Sequence, residues 1–153
     1  MKILLINTHL NYPDWSEGKL NMTLMQLAKD FFVERGHEVI ETFVERGYTP
    51  QEELEKHVAA DLVILQTPVN WFSAPWIYKK YVDEVFNAGL ATKVMLEGDG
   101  RTRADASRQY GSGGKMQGKR YLLSLTMNSP RAAFSDPAQA LHQGRTLDQV
   151  FAA

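Results

Sequence analysis

The chain reads as an α/β protein, a doubly wound parallel sheet in one domain spanning 1–153, and three observations carry that reading. Apolar runs alternate with amphipathic segments in the order strand, helix, strand, helix, strand, helix, loop, strand. The run Asp61–Gln66 is apolar in the way of a strand buried on both faces. It passes through an aromatic loop into a helix whose first turn begins at Pro75, and such loops lie at the carboxyl ends of parallel strands, where open α/β sheets bind ligands. The expected strand order is 2-1-3-4, and the fifth strand expected beyond strand four is missing or supplied otherwise. At 153 residues the chain suits a single domain with its own core.

The elements follow in order. Lys2–Asn7 is nearly all aliphatic and forms the first strand. A turn-rich loop from Thr8 to Gly18 leads to a helix from about Leu20 to Arg35, with Leu20, Leu24, Leu27 and Phe31 on one face. Gly36 stands where a left-handed C-terminal cap belongs. Glu38–Val44 is a more polar strand, nearer a sheet edge. Thr49-Pro50-Gln51-Glu52 resembles a capping box with proline at the first helical position, and its helix reaches about Ala59. The Asp61 strand and the Pro75 helix come next. A glycine-rich segment from about Gly89 to Gly118 is a long loop, the kind that is usually functional or mobile. Arg120–Thr126 is the fourth strand, with an open edge. Beyond Asn128 lie a short helix from Asp136-Pro137 to His142 and the start of another in Leu147–Ala153.

Composition excludes several classes. The 17 basic and 18 acidic residues nearly cancel, leaving no electrostatic footprint for nucleic acid. Without cysteine there is no disulfide framework, thiolate metal site or cysteine nucleophile. The apolar N-terminal run is too short for a signal peptide, and no run approaches a membrane span, so a soluble cytoplasmic protein is expected. His9, His37, His57 and His142 lack metal-ligand spacing and read as surface or structural residues, so no metal is expected. Gly113–Lys119 has phosphate-loop spacing, but Arg120 stands where Ser or Thr should hold the metal, and a strand follows it. No nucleophile elbow is present.

Four loops carry chemistry. Ser16–Thr23 offers hydroxyls, an amide and free helix N-terminal N–H groups, suited to a phosphate or to ordinary capping. Pro68–Phe72 presents Trp71 and Phe72, which suit either a flat ring, such as a flavin, or the core. Tyr110 sits among glycines in the long loop, either stacking on a ligand or snorkelling at the surface. Thr126, Met127, Asn128 and Ser129 end the fourth strand and present polar groups to the same ligand, or form a plain turn.

Taken together, these pieces resemble the flavodoxin-like NADPH:quinone reductases of the modulator-of-drug-activity B type, relatives of DT-diaphorase. The matching stretches are Gly18–Leu24, Ala74-Pro75-Trp76 with Lys79–Asp83, Asp99–Arg103, Tyr110–Gly114, and Leu123–Thr126 with Asn128. The resemblance implies a flavodoxin-like fold and FAD, with FMN the lesser alternative, bound at a homodimer interface. It places cofactor contacts at Ser16, Gly18, Lys19, Leu20, Asn21 and Thr23, at Pro68, Val69, Asn70, Trp71 and Phe72, at Tyr110, and at Thr126, Met127, Asn128 and Ser129. Val-Asn-Trp-Phe replaces the family's frequent Gly-Trp-Trp, and Met127 replaces a common tryptophan. The family continues past Ala153 into a fifth strand and a helix, so the chain is expected to be truncated, or completed by a partner subunit.

The implied activity is two-electron, ping-pong transfer of a hydride from NADPH, through the flavin, to a quinone, with no catalytic side chain singled out. Two rivals stay open: a flavodoxin-type electron carrier holding FMN, and a flavin-free interaction module.

Overall fold

In the computed structural model, which describes residues 1–151, four strands form one parallel sheet in the order β2-β1-β3-β4. β1 (Lys2–Asn7) and β3 (Leu62–Pro68) are central; β2 (Glu38–Phe43) and β4 (Arg120–Thr126) are the edges. Side chains alternate across a strand, so β1 feeds two cores. Leu4 and Ile6, with Leu65, meet Leu54 of α2 (Pro50–Ala59) and Tyr81 and Val85 of α3 (Trp76–Ala91). Ile3 and Leu5, with Ile64, meet Met25 of α1 (Lys19–Val33) on the other side. This is the doubly wound arrangement with both faces in use.

The boundaries shift for physical reasons. β3 runs on to Pro68 because its ladder with β4 continues through Thr67–Leu125 and Pro68–Thr126. β2 stops at Phe43, where buried Val44 opens a 3₁₀ turn, Val44–Arg46. Pro75 precedes α3 instead of sitting inside its first turn: its ψ of 149° is extended, and its carbonyl accepts the Tyr78 N–H at 2.9 Å. Gly36 does close α1, with φ 74° and a His37 N–H bond to Phe32 O of 3.0 Å. The Thr49 box does not close; Thr49 is the N-cap, but its side chain makes no capping bond.

Two sequence expectations are corrected. Gly89 belongs to α3, not to the loop after it; a Cβ there would lie 2.7 Å from Met95 Sδ, so glycine lets Met95 fold under the helix end. Asp136–His142 is not a helix: Ser135 and Gln143 take left-handed φ values and turn the chain back until the Ser135 N–H reaches Arg145 O at 3.0 Å. Of the stripe on one face of α1, Leu20, Leu27 and Phe31 are exposed. α1 buries Asn21 and Met25, while Phe31 stays 49% exposed beside a groove shared with Leu122 of β4. No element among the described residues covers that groove. The last element is α4 (Leu147–Phe151); Ala152 and Ala153, expected to continue it, lie outside the described residues.

Candidate functional site

The carboxyl ends of β1 and β3 finish in a buried polar layer. The Thr8 hydroxyl donates to Thr67 Oγ1 at 2.6 Å, and the Thr8 N–H donates to Gln66 O at 3.1 Å. Asn21, 4% exposed, accepts from Gln66 Nε2 at 2.8 Å and from Thr126 Oγ1 at 3.0 Å. One side chain of α1 thus joins the ends of β3 and β4. The Val69 N–H donates to Thr126 O at 2.8 Å, tying the next loop to the same corner. Satisfied buried networks of this kind fix geometry, and this one is the floor of the site.

Above it opens a cleft of about 1190 Å³. One wall is the start of α1. Gly18 is its N-cap, in the left-handed region at φ 75°, and no side chain caps the helix. Ser16 is engaged elsewhere, sharing a hydrogen bond of 3.1 Å with His9 Nε2, and Asn21 serves the floor. The capping alternative therefore does not hold, and the first-turn N–H groups keep no intrahelical acceptor. Gly18 also lies flat on His9, where a Cβ would come within 2.5 Å of Nδ1. Burial lowers the His9 pKa, with the Glu45 carboxylate opposing that shift. Lys19 pairs with Glu17 at 2.5 Å on the rim.

The opposite wall is the β3–α3 loop. Asn70 and Ser73 exchange backbone bonds of 2.8 and 3.1 Å around Trp71 (φ 52°) and Phe72 (φ 68°). Two left-handed central residues make a type I′ turn, a place usually taken by Asn-Gly. Trp71 is 94% exposed, and Phe72 and Trp76 are mostly exposed too, so these aromatics are not core. Thr126, Met127, Asn128 and Ser129 form the third side. Ser129 Oγ is buried there and is the one buried side-chain polar atom without a partner among the described residues.

Of the residues singled out in the sequence, Ser16, Gly18, Lys19, Leu20, Asn21, Pro68–Phe72 and Thr126–Ser129 meet in this cleft. Two do not. The Thr23 hydroxyl donates to Lys19 O at 2.9 Å within α1, one turn too far along. Tyr110, 78% exposed, sits on a loop that closes on itself through Gly111 N–H to Asp99 O, with the Arg101 guanidinium 5.4 Å from its ring. Sequence reasoning missed Tyr12, Trp15, Phe134 and His142, all cleft-lining. His142 is no surface residue: it is 3% exposed and stacks on Phe134 at 4.3 Å. No periodic spacing links these two, since irregular turns bring them together. Among the described residues no cluster of acidic or histidine side chains could hold a metal.

The cleft thus joins free backbone donors, an unpaired hydroxyl and a rim of flat apolar rings, a donor set suited to a phosphate-bearing aromatic cofactor. The family model of the flavodoxin-like fold matches residues 1–152, and the chain belongs to that family. Among its relatives is NADPH:quinone oxidoreductase MdaB of Haemophilus influenzae, 39% identical over 136 residues, which are 89% of this chain and 69% of that protein. A candidate quinone reductase of Klebsiella pneumoniae superposes with a TM-score of 0.67 at 25% identity, covering 94% of this chain and 65% of that one. General stress protein 14 of Treponema denticola, solved in complex with FMN, shares the fold at TM-score 0.65 and 20% identity, over 99% of this chain and 75% of that one. The chain therefore spans roughly two thirds to three quarters of the length of these proteins.

Proposed function

We propose that the cleft holds a flavin, FAD in preference to FMN, and that the protein is an NAD(P)H:quinone oxidoreductase. The observation that carries this is the facing of an uncapped helix start and an aromatic type I′ turn across one polar floor. Bound there, the flavin supplies the hydride chemistry, from NAD(P)H to a quinone. Gly18 to Asn21 offer amides to the phosphates. The Val69–Phe72 backbone offers donors to the polar edge of the ring, and Ser129 Oγ, otherwise unpaired, offers one more contact. Trp71, Phe72 and Trp76 line an apolar slot for a flat substrate. FAD and homodimer formation enter from the family resemblance, as does the ping-pong order. The sequence relative named for NADPH and quinone supports the activity. A cytoplasmic setting with a supply of NADPH goes with this proposal.

One open cleft serves both substrates in turn, so initial rates at several fixed quinone concentrations should give parallel double-reciprocal lines. Intersecting lines would reject the shared-slot scheme. A flavodoxin-type carrier would oxidise no NADPH unaided.

A further inference from the structure

The two edges of the sheet are built differently. β2 carries Glu38 and Glu41, each tied to a lysine, Lys2 at 3.2 Å and Lys29. Charges on an edge strand deter pairing with another chain. β4 has no such device. It is seven residues long, and its ladder with β3 runs unbroken from Leu62–Arg120 to Pro68–Thr126. From Tyr121 to Thr126 it holds no charge, no proline and no bulge. Lys119, just before it, turns its ammonium to the carbonyls of Val58 and Ala60, both at 2.6 Å. Tyr121 is 79% exposed, and Leu122 and Leu123 are half exposed.

The direction of the main-chain groups follows from the ends of β4. The Arg120 N–H donates to Asp61 O at 3.0 Å, and Thr126 O accepts from the Val69 N–H at 2.8 Å. Main-chain groups alternate in direction along a strand, so Arg120, Leu122, Ser124 and Thr126 bond toward β3. Those of Tyr121, Leu123 and Leu125 point outward, where no strand of the described residues pairs with them. Outward groups placed symmetrically about the middle residue fit an antiparallel copy of the same strand. With Leu123 opposite Leu123, Tyr121 falls opposite Leu125, and these pairs exchange about six main-chain hydrogen bonds. The side chains agree with that register. Leu123 meets Leu123 and Tyr121 meets Leu125 on one face, and Leu122 meets Ser124 on the other. Arg120, the one charge of the strand, falls opposite Thr126, so no like charges face each other.

We infer that two copies of this chain join β4 to β4, antiparallel and centred on Leu123, in one continuous sheet. The interface is isologous, and the charged β2 edges stop the assembly at a dimer. Antiparallel pairing points the carboxyl ends of the two sets of strands in opposite directions, so each cleft stays on its own copy. The pairing is independent of the flavin reading and differs from a dimer built around the cofactor. Sedimentation of the native chain over a range of concentrations should show a monomer–dimer equilibrium and nothing larger. Leu123→Lys and Leu123→Glu each set like charges face to face on the axis, and each should weaken dimerisation about 10-fold or more. An equal mixture of the two should dimerise again, which misfolded variants would not. The chain has no cysteine, so oxidation can read the register. A Leu122→Cys chain mixed with a Ser124→Cys chain should form a disulfide-linked pair, and Leu122→Cys alone should form far less. A native chain that stays monomeric, leaving the edge to an extended segment of another protein, overturns the inference. So does dimerisation that Leu123→Lys leaves unchanged, which puts the interface elsewhere. Growth into larger assemblies, or a dimer without the mixed disulfide, overturns it as well.

Discussion

Trp71 and Phe72 hold backbone angles that L-residues adopt at a cost of roughly 1–2 kcal/mol each. Neither ring repays that by burial, since Trp71 is almost wholly exposed. Strain of this kind concentrates at binding sites, so the turn is shaped for a ligand and not for stability. Trp71→Asn should therefore stabilise the free protein by about 1 kcal/mol, visible as a Tm rise of a few degrees, while weakening flavin binding. A drop in Tm would show that the turn is unstrained. Trp71 and Phe72 were conspicuous in the sequence as adjacent aromatics at a strand-to-helix turn. Their left-handed backbone was not, because no glycine or asparagine marks those two positions.

At the scale of elements, the strands were the most legible part. Lys2–Asn7 and Arg120–Thr126 have the boundaries their aliphatic runs imply. α1 stands where the sequence put it, but helical period locates an apolar stripe without saying what covers it. Phe31 and Leu122, each 49% exposed, face a shared groove, and exposed apolar surface of this kind favours association. Phe31→Glu with Leu122→Lys should reduce concentration-dependent association in sedimentation. Unchanged association would clear the groove of that role. Between α2 and α3 a second polar network is buried, and nothing in the sequence pattern marked it. His57 shares a 3.0 Å hydrogen bond with the Tyr81 hydroxyl, which donates to Glu53 at 2.9 Å, and Glu53 also pairs with Lys56 at 2.5 Å. Burial pushes the His57 pKa down to about 4, with Glu53 raising it and Lys119 lowering it further. The folded pKa lies below the unfolded one, so the unfolded chain takes up the proton first as the solution is acidified. Stability from this group is therefore full above pH 6.5 and is lost as the pH falls through 4, by at most about 3 kcal/mol. His57→Leu should flatten that part of the acid limb in denaturant titrations; an unaltered limb would assign it to other groups.

At the scale of the molecule, the sheet order and the gathering of three loops at one end were legible, since topology alone puts those loops together. The contributions of Phe134 and His142 were hidden in a segment without period. Tyr110 was placed by resemblance, and in the folded chain it stands on a separate loop, away from the cleft. No helix of the described residues is long and apolar enough to cross a membrane. The central claim is that this cleft binds a flavin which NADPH reduces and a quinone reoxidises, and the absorbance spectrum of the purified protein, recorded before and after adding FAD, tests it most directly. The account predicts bands near ~375 and ~450 nm that bleach with NADPH and return with a quinone. A colourless protein that takes up no added FAD would contradict it, leaving the fold as a relic of the family's chemistry.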